Sequence, residues 1–184
     1  MSLLSRATCI AQTAHHGVMR KYYNIPYISH PLEVCKCLCL WGIICEKILS
    51  VAILHDTIED ASTRDMELWI TEEITALDEP DILEWVENLT HRPHLENKDD
   101  YVSKFATYQV EPLIVKLADR CCNLLDFYNE NPYGYFRKYY RKTTGLFLIY
   151  ENRKQEMVKV FGLETCGRID KSINNLARIY AETT

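Results

Sequence analysis

The sequence predicts an all-α protein, a helical bundle organised around two buried helices. Three observations carry this reading. Apolar residues recur at helical spacing through most of the chain, and no stretch alternates as a half-buried strand would. Only 6 glycines and 6 prolines stand among 184 residues, which leaves room for long uninterrupted elements. Two segments, ILSVAILHD and LIVKLADRCC, are apolar enough to be buried on almost every side.

The elements follow in order. Ser5 is expected to cap a first helix that presents Ala7, Ile10, Ala11 and Ala14 on one face and stops at Gly17. Pro26 forbids regular helix in MRKYYNIPYIS, which reads as an ordered loop. Pro31 sits in the first turn of the next helix, where its missing N–H costs nothing, and Gly42 closes that helix after Trp41. Residues Cys45 to His55 form the first core helix. From Ala61 to Glu79 the pattern is mixed, and no element is assigned. Further helices are expected over Asp81 to Leu89, Lys98 to Gln109, from Pro112 through LIVKLADRCCNLLDFY, from Tyr135 to Tyr150 after Gly134, and over Ile169 to Ala181. All of this is expected to be one domain, residues 1–184, with 151–184 as a C-terminal helical extension.

Composition narrows the function. The chain is 47% hydrophobic and 26% charged, as an ordinary globular protein is. A net charge of −5 argues against a broad nucleic-acid surface, while a local group of Lys and Arg can still hold a small anion. No apolar run is long enough to span a bilayer, and Arg6 interrupts the N-terminus too early for a signal peptide. There are 8 cysteines. Cys35, Cys37 and Cys39 alternate within an apolar helical stretch, Cys121 and Cys122 are adjacent, and no C-x-x-C spacing occurs. Free thiols packed as small apolar residues are expected, in a reducing cytoplasm.

The chemistry is concentrated in His30, the adjacent pair His55 and Asp56, and Asp119. Together they offer two imidazole nitrogens and two carboxylates, a donor set suited to Mn²⁺, Fe²⁺ or Zn²⁺ rather than to Mg²⁺ or Ca²⁺. Asp119 lies inside an apolar helix, where an unpaired carboxylate is costly. A metal would compensate it, and so would Lys116 or Arg120. Glu59 and Asp60 follow His55 and Asp56 by one helical turn and are spare acids beside the cluster. A metal with free acid/base groups next to it is the equipment of a hydrolase.

The segments GVMRKYYNIPYISHP, ILHDTIEDA and IVKLADRCCNL resemble the signature blocks of the RelA/SpoT-type HD-domain alarmone hydrolases, in their single-domain group, the small alarmone hydrolases. The resemblance runs from about Ala7 to Tyr150. It implies an HD-type helical bundle that removes pyrophosphate from the 3′ position of ppGpp or pppGpp. By that resemblance His30, His55, Asp56 and Asp119 are ligands of one divalent metal, usually Mn²⁺, and Glu59 and Asp60 are the catalytic acid pair. Arg20 matches an arginine that packs on the guanine base, Lys21 a neighbouring basic contact, and Asn123 a contact to the nucleoside. Lys116, nearly one turn before Asp119, either joins the site or points outward. The chain departs from the family at Leu125, where arginine is frequent, and at Cys121 and Cys122, where a bulkier pair stands; these changes are expected on the nucleotide side.

Two other functions are kept beside this one. The first is a related phosphohydrolase acting on an adenine alarmone, on NADPH or on a pyrophosphorylated tRNA end. The second is an antitoxin-like protein that binds a toxic alarmone synthetase. A homo-oligomer is compatible with either. The basic run Arg137, Lys138, Arg141 and Lys142 and the nearby tyrosines are read mainly as a solvated face and as packing. His15 and His16 are read as surface or supporting residues, and His91 and His94 as turn residues outside the site.

Overall fold

The computed structural model describes residues 1–21 and 24–183, apart from the side chain of Pro132; Tyr22, Tyr23 and Thr184 lie outside them. Ten α-helices and one π-helical turn make up the described chain. The helices are α1 (Leu3–Ala14), α2 (Ser29–Trp41), α3 (Glu46–Leu54), α4 (Arg64–Thr75) and α5 (Pro80–Leu89). They continue with α6 (Lys98–Lys104), α7 (Val110–Glu130), α8 (Arg137–Asn152), α9 (Lys154–Phe161) and α10 (Leu163–Glu182). The all-α expectation holds, and its two apolar segments are the spine of the bundle. Every residue of α3 from Ile48 to Leu54 is buried, including Ser50, whose hydroxyl donates to Glu46 O. Helix α3 packs against α1, α2, α5 and α7, and α7 runs on past α2, α5, α8 and α10. Side chains such as Leu54, Leu113, Ile114 and Leu117 are fully shielded from solvent. Each is worth roughly 1.5–3 kcal/mol of burial, which makes this crossing the mechanical anchor of whatever sits at its end.

Several local expectations need correction. The first helix is capped by Ser2, whose hydroxyl accepts from Ser5 N–H, and it stops at Ala14; Gly17, at φ 76°, lies in the turn beyond. The segment around Met19 is tighter than a loop. Met19 pairs with Pro26, Arg20 N–H donates to Ile25 O, and Tyr27 N–H donates to Val18 O, so Arg20 and Lys21 sit on a short doubled-back arm. The unassigned stretch after Ala61 contains α4, opened by Thr63 accepting from Met66 N–H. Its pattern was blurred because only Ile70 and Ile74 are buried there. The expected Lys98 to Gln109 helix breaks after Lys104 into turns, and the next helix begins at Val110, with Pro112 inside its first turn. A π-helical turn, Pro132–Phe136, precedes α8. Helix α9 was not foreseen, and α10 begins six residues earlier than Ile169.

Helices α9 and α10 are tied to the rest by polar contacts. Arg153 donates to Phe105 O and Tyr108 O at 2.8 and 2.6 Å, Trp41 Nε1 donates to Ser172 Oγ at 2.9 Å, and Tyr150 OH donates to Asp170 at 2.9 Å. At Gly42, φ is 96° and a Cβ would stand 2.9 Å from the Arg168 guanidinium, so glycine meets two demands at the α2–α10 contact.

Candidate metal centre and adjoining cavity

The candidate ligand residues come from three elements that meet where the spine helices cross. His30 lies in the first turn of α2, His55 caps the C-terminus of α3, Asp56 follows it, and Asp119 lies in the middle of α7. Ligand atoms of His30, His55 and Asp56 all fall within 4.8 Å of one another. His30 Nε2 is 3.2 Å from Asp119 Oδ1 and 3.8 Å from Asp56 Oδ2. His55 Nε2 is 3.0 Å from Asp56 Oδ2 and 3.9 Å from Asp119 Oδ1. The structure therefore brings the four candidate ligands named from the sequence close together.

The donor set fits a divalent cation. His55 Nδ1 donates to Ala52 O at 2.8 Å, which directs Nε2 at the carboxylates. That Nε2 is buried and makes no aligned hydrogen bond, although Asp56 Oδ2 is only 3.0 Å away. A divalent cation among these groups would be met by this Nε2 and by the carboxylate oxygens beside it. The electrostatics make the same demand. Burial works to lower the His55 imidazole, but Asp56 and then Asp119 push it up to about 9. Burial works to raise the Asp119 carboxyl, yet Lys116, His30 and Arg120 hold it well below the usual carboxylate range. Burial opposes ionisation of Asp56 as well, and His55 outweighs it and holds the carboxyl down. The two carboxylates thus favour positive charge among the four groups.

Lys116 settles on one side of Asp119. Its Nζ reaches Asp119 Oδ2 at 3.0 Å, it is buried, and it lies 5.5 Å over the Tyr101 ring. Of the two expected placements it takes the inward one. It occupies Oδ2 and leaves Oδ1 to His30 and to the Asn123 amide, which donates to it. Asn123 thus stands beside the cluster, one turn after Asp119, as its spacing predicts. Arg120 Nε comes to 4.0 Å from Asp119 Oδ2, and its guanidinium covers the Tyr139 ring at 5.1 Å and hydrogen-bonds the Tyr139 hydroxyl.

Glu59 and Asp60 are not on a continued helix. The chain leaves α3 through turns in which Thr57 N–H donates to Leu54 O and Asp60 N–H donates to Asp56 O. Both acids line a cavity of about 220 Å³ together with Asp56, Lys116, Asp119, Arg120 and Asn123. Glu59 Oε2 accepts from His91 N–H at 2.9 Å. Protein crowding first, then the charges of Asp56 and Glu59, push the Asp60 carboxyl up to about 6.

A larger cavity of about 500 Å³ adjoins this one, sharing Tyr27, Lys98, Asn123 and Tyr139. Its walls combine the aromatic Phe127 and Tyr135 with the cations Arg20, Lys21, Lys138 and Lys142. Arg20 is fixed by ion pairs to Glu33, at 2.8 Å, and to Asp126. The basic run of α8 divides its work. Lys138 and Lys142, four residues apart, face this cavity, whereas Arg141 Nε donates to the Tyr180 hydroxyl at 3.0 Å. Tyr140 stacks on Tyr180 at 4.4 Å, the packing role expected for the tyrosines.

Sequence reasoning missed Tyr27 and undervalued His15, His91, Lys98 and Arg120. Tyr27 OH donates to Asp56 Oδ2 at 2.6 Å, and His15 is buried 4.7 Å behind the Tyr27 ring. The signal for Tyr27 was its place three residues before His30, which puts both on one side of the α2 entry. Leu125, Cys121 and Cys122 do not line the cationic cavity. They open on a separate one between α2, α7 and α10, because they lie on a different side of α7 from Asn123 and Asp126.

No family model matches the chain. It is 35% identical over 136 residues to the GTP pyrophosphokinase rsh of Brucella ovis and of Brucella abortus, an alignment covering 67% of this chain and 16% of those proteins. It is 31% identical over 138 residues to the guanosine-3′,5′-bis(diphosphate) 3′-pyrophosphohydrolase MESH1 of Xenopus tropicalis, covering 73% of this chain and 74% of that one. MESH1 of Mus musculus is 34% identical over 113 residues, 60% of each chain. Among solved structures, a metazoan ortholog of SpoT that hydrolyses ppGpp superposes with a TM-score of 0.75 at 21% identity, covering 97% of this chain and 95% of that one, a likeness of fold. Among the described residues no helix is long and apolar enough to cross a membrane. The chain belongs to the family of the MESH1 guanosine-3′,5′-bis(diphosphate) 3′-pyrophosphohydrolases.

Proposed function

We propose that this chain, as a single HD-type domain, hydrolyses the 3′-pyrophosphate of ppGpp and pppGpp to give GDP or GTP and pyrophosphate, in the cytoplasm and with Mn²⁺. The observation that carries this is the meeting of His30, His55, Asp56 and Asp119 at one buried point, with two further acids and a cationic, aromatic cavity beside it. The four residues would hold the ion with two imidazoles and two carboxylates, a mixture that favours a transition metal. When bound, the ion supplies Lewis-acid polarisation of a phosphoryl oxygen and a more acidic water.

The chain's own groups do the rest. Glu59, steadied by His91, and Asp60, with its raised carboxyl, handle the proton between the attacking water and the departing 3′ oxygen. Lys116 and Arg120, on the wall shared with the acids, offset the charge of the pyrophosphate as it leaves. In the larger cavity Arg20 presents a fixed guanidinium plane to the guanine base, Asn123 meets the nucleoside, and Lys21, Lys98, Lys138 and Lys142 face the 5′-phosphates.

Product analysis of the purified chain with ppGpp and Mn²⁺ tests the proposal. GDP and pyrophosphate in equal amounts support it; no turnover of any guanosine alarmone refutes it. A panel with an adenine alarmone, NADPH and a 3′-pyrophosphorylated tRNA end locates the base preference. Association with a second copy or with an alarmone synthetase is a further part of the proposal. An Asp56→Ala variant that still protects cells from such a synthetase would show binding in place of catalysis.

A further inference from the structure

Glu59 and helix α4 are neighbours in the chain and are joined a second time through space. Glu59 Oε2 accepts from His91 N–H at 2.9 Å. The next residue, Arg92, reaches back to α4, where its Nη1 lies 2.8 Å from Glu67 Oε1. Glu67 stands only eight residues after Glu59. Two bonds and two short stretches of chain, 59–67 and 91–92, therefore close one ring that contains the acid. The ring is anchored on both sides. Glu67 Oε2 is held by Arg64 Nη1 at 2.9 Å, and Ile70 and Ile74 bury the inner face of α4. Opposite, the Arg92 carbonyl accepts from Leu95 N–H and Glu96 N–H at 2.9 and 3.2 Å, and the His91 ring lies 5.1 Å from that of Tyr101, whose hydroxyl donates to Leu89 O. Among the described residues that line the two cavities beside the candidate metal centre, neither Arg92 nor Glu67 is found.

We propose that Arg92 and Glu67 are positioning residues for Glu59: their ion pair fixes the His91 N–H, and that N–H fixes the carboxylate. This rests on the hydrolytic reading, in which Glu59 handles a proton. A glutamate on a turn has several rotamers, and only those that bring a carboxylate oxygen within reach of the water or of the leaving oxygen are productive. The His91 amide commits Oε2 and leaves Oε1 for the cavity that Glu59 lines. Residues 90–97 form no helix, so their own backbone does not hold that amide in direction. The Arg92 guanidinium does so by tying the connection to α4. An ion pair this exposed adds little to global stability. A catalytic acid displaced by about 1 Å, in contrast, costs up to about 100-fold in rate. The pair therefore matters more to turnover than to folding.

Arg92→Met and Glu67→Gln, each made in the full chain, open the ring from either side. Each should lower kcat for ppGpp with Mn²⁺ about 10-fold and leave KM within about twofold of wild type. The Mn²⁺ Kd should stay within about twofold, and the melting temperature within a few degrees. Arg92→Lys, which keeps the charge, should recover most of the rate. The His91 amide should exchange with solvent faster in Arg92→Met and Glu67→Gln than in wild type. In a Glu59→Gln background, Arg92→Met should change the residual rate less than about twofold, because the group it positions is gone; a general loss of structure repeats its full factor there. Wild-type turnover with Arg92→Met and Glu67→Gln unimpaired overturns this inference alone. So does a loss that falls on KM or on Mn²⁺ affinity, or one that recurs at full size on Glu59→Gln. A wild-type chain that turns over no guanosine alarmone overturns the hydrolytic reading, and this inference with it.

Discussion

Replacing Tyr27 by phenylalanine isolates one hydrogen bond at the metal cluster. The Tyr27 hydroxyl donates to Asp56 Oδ2 at 2.6 Å, and that same oxygen lies 3.0 Å from His55 Nε2 and 3.8 Å from His30 Nε2. The bond therefore fixes the carboxylate rotamer that aims at both imidazoles. The ring itself packs against His15 and His30, at 4.7 and 5.9 Å, and phenylalanine keeps that packing. A hydrogen bond to an ionised group is worth roughly 1.5–3 kcal/mol. Loss of a partner that orients a metal ligand typically weakens affinity about 10–100-fold, which is roughly the same energy. Mn²⁺ titration of chelator-stripped Tyr27→Phe by calorimetry should thus give a Kd about 10–100-fold above wild type. The helical circular dichroism should be unchanged. An affinity within twofold of wild type would show that Asp56 does not depend on Tyr27 for its orientation and that the ligand geometry is set elsewhere.

Glu59→Gln should bind Mn²⁺ normally and lose at least about 100-fold in kcat against ppGpp, as expected for removal of an acid/base group; loss of metal instead would place Glu59 among the ligands. EDTA should abolish ppGpp turnover, and added Mn²⁺ should restore it. Stability should fall on acidification because of His15. Burial, above all, lowers its imidazole from 6.5 to about 4, so between those values the unfolded chain binds the proton that the folded chain refuses. The contribution is fully present above pH 6.5 and lost as the pH falls through about 4, worth at most about 3 kcal/mol. Urea unfolding of His15→Gln should show a flatter pH dependence over that window.

The sequence by itself determined the helical class and singled out the four residues that meet in the candidate metal centre. The apolar runs of α3 and α7 can be satisfied only by burial, and His55, Asp56 and Asp119 interrupt those runs with groups that burial penalises unless they meet a cation. Such residues are legible because their cost is local to their own segment. Helix α4 was hidden because its exposed face carries most of its residues, and α9 because it is only eight residues long. Tertiary structure alone decided the rest. It turned Lys116 inward onto Asp119, brought His91 to Glu59, seated Tyr27 on Asp56 and split the α8 cations between the cavity and Tyr180. It also moved Cys122 and Leu125 off the cationic cavity and onto a separate one between α2, α7 and α10. Each of these depends on the rotation of one helix about its axis relative to a neighbour distant in sequence. That rotation is fixed by how the buried side chains of both helices interlock, which periodicity along either helix does not specify.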